Sequence, residues 1–381
     1  MKAGWEKKTL DQIAENLDSK RIPITKADRV SGEYPYYGAS GIVDYVADYI
    51  FDCDTLLISE DGANLIARST PVAFPASGKY WVNNHAHILK FENMTTQRFV
   101  ELYLESIPLD EYITGAAQPK LNQKALNSIP IPFPPHAEQQ RIIGILDEAF
   151  DGIATAKANA EKNLQNARAL FESHLQSVFT QRGEGWVEKR LKDVCEKITD
   201  GTHQTPTYFD EGVLFLSSRN VTSGKIDWDK IKYIDTKQHL EMHKRVAPRL
   251  HDILLAKNGT TGVAAIVDRD VVFDIYVSLA LLRALDVISP YFLLYFINSS
   301  VAKEQFNKRL KGVGVPNLHL QEIREVTVSF PKSLAEQNLI VSKLDILYSE
   351  TQHLETIYKK KLAALDALKK SLLDQAFTGQ L

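Results

Sequence analysis

Apolar residues recur every three or four positions along two separate long stretches of the chain. In the first stretch they include Ile142, Leu146, Ile153, Leu164 and Leu175. This spacing is typical of one face of an amphipathic helix, and no proline interrupts either stretch. At about 1.5 Å per residue, each helix would be roughly 64 Å long. Because neither helix alone could keep its apolar stripe out of water, we expect the two to pack on each other.

The two stretches are copies of one another. AEQQRIIGILD at 137–147 returns as AEQNLIVSKLD at 335–345, with six of eleven positions identical, and the offset of 198 residues continues to the Phe-Thr pairs at 179–180 and 377–378. A shorter repeat, GWEKKTLDQIAE at 4–15 and GWVEKRLKDVCE at 185–196, opens the segment that precedes each helix. We therefore predict the order domain, helix, domain, helix, with bounds 1–136, 137–182, 183–333 and 334–381.

The two segments that precede the helices combine short strand-like runs with glycine turns. In the first, YPYYGASGIVDYV, DTLLISEDGANL and WVNNHAHILKF indicate strands, and residues 96–104 indicate a helix. In the second, DILLAKNG takes the place of DTLLISEDG, and YVSLALLRAL follows it. The prediction is a mixed α/β (α+β) fold with two globular domains that share a plan but differ in their side chains.

Length, cysteines and hydropathy narrow the class of protein. A chain of 381 residues exceeds the usual single core, so two or more domains are expected. Cys53 and Cys195 are far apart and lack zinc-ligand spacing, which argues against a disulfide framework and a zinc site. The N-terminal residues lack an apolar signal core, and nowhere do about 18 apolar residues run together. We expect a cytoplasmic protein without a membrane span.

Motifs for catalysis and metal binding are missing from the sequence. It contains no GxxxxGK[ST] phosphate loop, no convincing dinucleotide fingerprint and no Asn/Asp-Pro-Pro-Tyr motif of the amino-methyltransferases. His239 and His243 lie four residues apart in HLEMH, which is not the HExxH spacing of zinc proteases, and the sequence shows no third ligand. The polar residues of VNNHAHIL at 82–89 alternate with apolar ones, which favours a structural role. We predict no catalytic and no metal-binding residues.

Several further motifs are distinctive when taken together: the paired AEQ…LD junctions that follow proline, PYYGASGI, VNNHAHIL, GAAQPKLN, DGTHQTP and the terminal AFTGQL. With these motifs the chain resembles one family, the specificity subunits of Type I restriction-modification systems. The resemblance covers the whole chain. It implies two target-recognition domains joined by two helices packed as an antiparallel coiled coil, with pseudo-twofold symmetry.

The resemblance also implies a function and partners. Family members bind double-stranded DNA, read a target in two parts and carry two modification (methyltransferase) subunits, to which restriction subunits can add. No cofactor is expected in this chain, because S-adenosylmethionine, ATP and Mg belong to the partner subunits. The formal net charge is −3, and basic minus acidic residues lie between −4 and +2 in each of the four segments. We therefore expect clustered basic residues, or a partner that supplies much of the phosphate contact.

Candidate DNA contacts are polar, aromatic or basic residues in turns and at one helix end. They are Tyr36, Tyr37, Ser40, Asn64, Gly201, Thr202, His203, Arg219, Asn220, Lys257, Asn258, Thr260, Lys308, Arg309 and Lys311. An arginine in such a turn can pair bidentately with guanine, and lysines can contact phosphates. The alternatives stay open for each: core tyrosines, turns that only redirect the chain, a salt-bridged Arg219 and a solvated helix face around Lys308.

Two other functions are compatible with the same features. Two dissimilar globules on a coiled coil would also suit a scaffold that bridges proteins without DNA. Within the DNA-reading class, the chain would also fit a related Type II system whose partner fuses methyltransferase and nuclease. An enzyme that acts alone is disfavoured by the missing motifs.

Overall fold

The computed structural model describes residues 2, 4–115, 117–181, 183–259, 261–310 and 317–381. Contacts divide the chain into two compact units, Met1–Glu161 with Lys360–Leu381, and Lys162–Lys359. Each unit contains a mixed α/β domain, as predicted from the sequence, together with part of both long helices. Among the described residues, none of the helices combines the length and apolar composition needed to cross a bilayer.

The first unit is built from short strands and helices. Its strands are β1 (Glu6–Thr9), β2 (Ala14–Asn16), β3 (Ser31–Gly38), β4 (Gly41–Val46), β5 (Phe51–Asp52), β6 (Thr55–Ser59), β7 (Ala73–Ala76), β8 (Lys79–Val82), β9 (Ala86–Phe91), β10 (Ile113–Thr114), β11 (Lys120–Leu121) and β12 (Pro130–Phe133). Its helices are α1 (Leu10–Ile13), α2 (Asn64–Ala67), α3 (Met94–Ser106), α4 (Gln123–Asn127) and the first part of α5 (His136–Thr180). Single 3-10 turns lie at Asp18–Lys20 and Asp110–Tyr112.

Two sheets form the centre of this unit. An antiparallel sheet has the order β2-β9-β6-β7, and a second sheet has the order β4-β3-β8-β5, in which β3 and β8 are parallel. Strand β6 is buried on both faces: Leu56 and Ile58 join a core with α3 and α5, whereas Leu57 packs against Tyr80 of the second sheet. This is why three consecutive apolar residues, Leu56, Leu57 and Ile58, occupy the middle of this strand.

The second unit repeats this construction. Its strands are β13 (Trp186–Arg190), β14 (Cys195–Asp200), β15 (Val213–Leu216), β16 (Lys232–Ile234), β17 (Ile253–Ala256), β18 (Ala264–Ile266), β19 (Phe273–Ile275), β20 (Leu279–Ala284) and β21 (Thr327–Pro331). Its helices are α6 (Leu191–Val194), α7 (Thr236–Met242), α8 (Pro290–Asn298), α9 (Ser300–Asn307), α10 (Leu320–Arg324) and most of α11 (Leu334–Thr378), with a 3-10 turn at Ser218–Asn220.

The strand orders of the two units correspond. The order β14-β20-β17-β18 repeats β2-β9-β6-β7, the pair β13-β21 repeats β1-β12, and β16-β15-β19 repeats β4-β3-β8 with the same parallel pair. Helix α7 is inserted between β16 and β17, where the described part of the first unit has no helix between β4 and β6. The predicted shared plan is therefore present in the topology.

A buried glutamine explains the repeated AEQ motif. Gln139 in α5 donates from Nε2 to the carbonyl of Pro134 (2.9 Å) and accepts from Thr96 Oγ1 (3.1 Å) of α3. Gln337 in α11 donates to the carbonyl of Pro331 (2.8 Å) and accepts from the N–H of Ser289 (2.7 Å), the N-cap of α8. Each glutamine thus ties the start of a long helix to the preceding strand and to a neighbouring helix.

The other repeated positions join the same elements. Leu146 and Leu344 are fully buried in the cores of their respective units. Asp147 pairs with Arg98 (2.7 Å) of α3. The corresponding Asp345 accepts from the hydroxyl of Tyr295 (2.5 Å) in α8. The repeat is therefore a docking motif that fixes each helix to its own domain.

Within each unit, the two long helices pack antiparallel. In the first unit, Lys369 Nζ lies 5.0 Å from the centroid of the Phe150 ring, and Lys157 pairs with Asp366 (2.7 Å). In the second unit, Arg168 pairs with Glu355 (3.1 Å), and the rings of Phe171 and Tyr348 are 5.2 Å apart. As residue numbers rise in α5, those of the partner in α11 fall.

Candidate nucleic-acid interface

Loops of the first unit converge at one end of its two sheets. The tip of the β3–β4 hairpin is held by Ser59, whose hydroxyl donates to the carbonyl of Ala39. The loop after β6 is held from both sides, because Asp61 pairs with His85 Nδ1 (2.8 Å) and the N–H of Gly62 donates to the carbonyl of Pro119 (3.0 Å). We call this end of the sheets the loop edge of the first unit.

The second unit has a corresponding loop edge. The loop after β15 is bound by Ser278, whose hydroxyl accepts from the N–H of Ser218 (3.0 Å). The loop after β14 is bound by the N–H of Thr202, which donates to the carbonyl of Ile275 (3.0 Å). Gly201 is required there, because a Cβ would lie 1.9 Å from that same carbonyl oxygen.

The registers show which residues of the two edges correspond. Leu56 pairs with Leu89 and Ile253 pairs with Leu282, so Glu60 and Lys257, each four residues further on, occupy the same position. Both have the same backbone partners: Glu60 bonds to residues 85 and 121, and Lys257 bonds to residues 278 and 318.

The sheet registers also show that Asp18 of the first unit and Asp200 of the second unit occupy equivalent positions. Asn16 pairs with Leu89 and Ile198 pairs with Leu282, and each aspartate follows two residues later. One buried aspartate therefore recurs, next to a glutamate in the first unit and next to a lysine in the second.

In the first unit, two buried carboxylates are balanced by three basic groups. Arg21 pairs with Glu60 (2.6 Å), Lys120 also pairs with Glu60 (3.1 Å), and His87 Nδ1 lies 2.5 Å from Asp18. Burial alone would raise the pKa of Asp18, but its hydrogen bonds from His87 and from the N–H of Ile88, with Arg21 nearby, hold that pKa below its ordinary value. His87 Nε2 faces the carbonyl of Leu121 (2.7 Å), so an acceptor faces each of its two ring nitrogens.

In the second unit, a single buried carboxylate forms ion pairs with two basic side chains. Lys257 Nζ lies 3.1 Å from Asp200 Oδ2, and Arg245 lies 2.5 Å from Oδ1. Burial would raise the pKa of Asp200, but the hydrogen bonds from Arg245 and Lys257 lower it overall. Arg245 Nε also donates to the carbonyls of Asp200 (3.2 Å) and Gly201 (3.1 Å). The same frame thus supports two buried carboxylates with their basic partners in one unit, and one buried carboxylate with two cationic partners in the other.

The structure separates the sequence-predicted residues into surface and supporting groups. Exposed residues are Ser40, His203, Arg219 and Lys308. Partly exposed residues are Tyr37, Asn64, Asn258 and Arg309. Buried residues are Tyr36, Gly201, Thr202, Asn220 and Lys257. Thr260 and Lys311 lie outside the described residues.

The buried residues have identifiable structural partners. Tyr36 is 1% exposed, and its ring packs under the guanidinium of Arg29 (4.3 Å), so this tyrosine belongs to the core and not to the surface expected from its turn-like sequence. Asn220 donates to the carbonyls of Asp227 (3.3 Å) and Lys230 (3.0 Å), which fixes the turn that carries Arg219. These buried residues therefore support the loops whose exposed residues form the loop edge.

The surface residues have the chemistry for nucleic-acid contact. Arg219 is exposed, and in the described part of the chain no carboxylate lies within ion-pair distance of it, so its planar guanidinium is available for a bidentate partner. His203 is exposed beside Asp200 (3.3 Å). Lys308 directly follows α9 as its C-cap, and Phe306 of this helix lies against Gly262 in the loop after β17.

Three residues at the loop edges were missed at the sequence level. His85 was assigned a structural role, yet it is exposed and paired with Asp61; His87 does have the predicted structural role. Arg245 and Ser278 hold loops of the second unit, and no local motif marks either. Their partners are 45 and 60 residues away in the chain, and only the folded sheet brings them together.

Comparisons with known proteins match the whole construction. A family model described as "Type I restriction modification DNA specificity domain" matches residues 2–165 and 183–363. A putative type I restriction enzyme specificity subunit of Haemophilus influenzae is 29% identical over 89% of this chain and 86% of its own length. The MjaVIII specificity subunit of Methanocaldococcus jannaschii is 22% identical over 99% of this chain and 93% of its own.

Solved structures have the same fold. A chain from a study of complex assembly and conformational transition of the type I R-M system matches with a TM-score of 0.78 at 18% identity, covering 100% of this chain and 99% of that one. The HsdS subunit of Thermoanaerobacter tengcongensis matches with a TM-score of 0.61 at 17% identity, covering 100% and 98%. The two matched segments each contain one loop edge, and on these grounds the chain belongs to the family of type I restriction-modification DNA specificity proteins.

Proposed function

We propose that this chain is the sequence-specific DNA-recognition subunit of a Type I restriction-modification complex and reads a target in two parts. The observation that carries the proposal is the pair of loop edges, which share a frame but present different side chains. Because the two units have the same strand order around their loops, we infer that both bind DNA. Because their exposed side chains differ, we infer that they read half-sites of different sequence.

Contacts with DNA are assigned to surface residues of the loop edges and of the end of α9. Arg219 is the candidate for a base contact, and Lys308 and the partly exposed Arg309 are the candidates for phosphate contact. Ser40, His203 and Asn258 complete the described set. Thr260 and Lys311, which lie outside the described residues, stay candidates on the sequence alone. Buried Tyr36, Asn220 and Lys257 support these loops from within.

Chemistry and much of the affinity are assigned to partner subunits. The chain lacks the sequence motifs for methyl transfer and ATP hydrolysis, so two methyltransferase subunits would supply the former and restriction subunits the latter. A net charge of −3 gives the chain little general attraction for phosphates. The complex would act on DNA in the cytoplasm.

Binding measurements with and without the partner test this proposal. The chain co-purified with its methyltransferase subunits should bind a duplex carrying the methylated target more tightly than a shuffled duplex, and the affinity should fall steeply with salt. The chain alone should bind both duplexes weakly. Equal affinity of the complex for both duplexes would contradict sequence recognition, and tight specific binding by the lone chain would contradict the role given to the partner.

A further inference from the structure

Helix α7 brings two histidines against a buried aspartate of β19. His239 Nδ1 lies 2.7 Å from Asp274 Oδ2, and His243 Nδ1 lies 3.0 Å from Oδ1. The two imidazole centroids are 4.7 Å apart, as expected for residues one helical turn apart. The third ligand that the HLEMH sequence lacked is thus supplied by a strand 31 residues further along the chain.

The ion-pair partners of Asp274 differ from those of the other buried aspartates. Asp18, Asp200 and Asp252 each have an arginine within ion-pair distance. Asp274 is 1% exposed, and within the described ranges its ion-pair partners are the two histidines alone. A buried carboxylate is costly unless a positive charge compensates it. A divalent cation held by the two imidazoles and the carboxylate would provide that charge.

We propose that His239, His243 and Asp274 bind one divalent transition ion of the zinc type. Two imidazole nitrogens and a carboxylate are the ligand set that such ions favour. The ligand atoms all lie within 4.8 Å of one another. Around a tetrahedral ion with bonds of about 2.0 to 2.1 Å, neighbouring ligand atoms are roughly 3.3 Å apart. The observed nitrogen–oxygen contacts of 2.7 and 3.0 Å are shorter and involve different oxygens of Asp274, so the side chains must rotate for the ion to enter.

Each ring would bind the ion through Nδ1, the nitrogen that faces Asp274, and would carry its proton on Nε2. Both rings are partly exposed, which gives the ion access and leaves a fourth position for water.

The other cluster of histidine and carboxylates does not share this feature. Asp18, Glu60 and His87 also lie close enough to surround an ion. However, Arg21 and Lys120 already neutralise these carboxylates, and His87 Nε2 is bound to a backbone carbonyl. We therefore expect the cluster of Asp18, Glu60 and His87 not to bind the ion, and it serves as an internal control for the site in the second unit.

The ion would stabilise the loop edge of the second unit. Gln238 of α7 exchanges hydrogen bonds with the backbone of Thr207 (2.9 and 3.0 Å), which lies in the loop after β14. Arg245, just beyond α7, binds the carbonyls of Asp200 and Gly201 in the same loop. Fixing α7 to β19 thus fixes this loop. Its effect on DNA readout rests on the proposed function, whereas binding of the ion does not.

Metal titration of the full-length, tag-free chain tests the site. After treatment with chelator and dialysis, the chain should bind one equivalent of Zn²⁺, and His239→Gln and His243→Gln should each weaken binding at least tenfold. Glutamine keeps a donor for Asp274, so the fold should be retained. The matched control is His353→Gln on the exposed face of α11, which should bind zinc as the unaltered chain does.

The contrary results are equally definite. Failure of the unaltered chain to bind zinc, or undiminished binding by both α7 variants, would overturn the proposal. If the variants do not fold, hydrogen exchange of the unaltered chain decides it: Zn²⁺ should slow exchange in residues 236–243 and 273–275 and leave residues 14–18 and 86–91 unchanged. The absence of such a local effect would also overturn the site. Neither readout depends on DNA, so failure here would leave the proposed function standing.

Discussion

At the scale of single residues, buried polar groups hold the domains together and fix the loop edges. Gln139 and Gln337 show why a polar residue can be kept in an apolar core: each satisfies a backbone carbonyl and a donor on a neighbouring element. Sequence repetition marked these glutamines, but their burial became evident only in the fold. A polar residue repeated at a helix start looks like an exposed cap until its partners are known.

Replacing Gln139 by leucine should destabilise the first unit. The carbonyl of Pro134 and the hydroxyl of Thr96 would lose their partner inside the core, at a cost of about 2 kcal/mol. The adjacent exposed residue provides the control, because Gln140→Leu removes no hydrogen bond seen in the described structure. Urea unfolding followed by hydrogen exchange of peptides from residues 94–106 measures both. Equal stability of the two variants would show that the buried glutamine is dispensable.

Asp200 should make the stability of the second unit depend on pH. Burial opposes its ionisation, but Arg245 and Lys257 more than compensate and lower the pKa of Asp200 below its ordinary value. A group with a lowered folded pKa adds stability above its unfolded pKa of about 3.9 and loses it as the pH falls toward the folded pKa. The stability difference between the unaltered chain and Asp200→Asn should therefore be largest near pH 7 and shrink below about pH 4. Melting curves across this range check it; a difference independent of pH would contradict the role of the charge.

Arg219 is the residue expected to contribute most directly to recognition. Arg219→Ala should reduce methylation of the target by the assembled complex about tenfold or more, because a bidentate base contact contributes roughly 1 to 3 kcal/mol. Arg269→Ala is the matched control, since Arg269 is exposed in the loop that precedes β19, at the opposite end of that strand from the loop edge. Initial methylation rates on one duplex compare the two. Equal rates would remove Arg219 from the interface.

At the scale of elements, the repeated helices were predictable and the buried charge clusters were not. The stripe spacing and the 198-residue offset predicted two equivalent helices, and the structure has helices at His136–Thr180 and Leu334–Thr378. The helix predicted at 96–104 is present as α3, Met94–Ser106. These signals are local, so a sequence pattern carries them.

The equivalence of Glu60 and Lys257 needed the sheet registers. The two runs DTLLISEDG and DILLAKNG differ by one residue in length, so their first residues suggest one alignment and their glycines another. Hydrogen bonds from the neighbouring strands select the alignment by the glycines. Likewise, alternation along β3 places Tyr36 and Tyr37 on opposite faces, but only packing against Arg29 and Phe74 decides which face is buried.

At the scale of the whole molecule, we propose that the helices set the number of unread base pairs between the half-sites. A heptad inserted between Glu161 and Lys162 of α5, and another between Lys359 and Lys360 of α11, would lie at the boundaries between the compact units and leave each unit intact. Each helix would lengthen by about 10 Å, which corresponds to roughly three base pairs at 3.4 Å each. The half-site sequences should stay unchanged, although altered rotation about the DNA axis can lower affinity. An active variant that keeps the original spacing in a methylation map would show that something else sets the distance.

Domain exchange, followed by methylation mapping, tests the central claim of two independent readers most directly. Residues 1–136 would be replaced by the corresponding segment of a relative with a different target, retaining α5 and everything beyond it. In cells that contain the methyltransferase partner, the chimera should methylate a target in which one half-site has changed while the other half-site is retained. The loop edge of the second unit is untouched, so its reading should persist. A change in both half-sites, or in neither, would contradict the account.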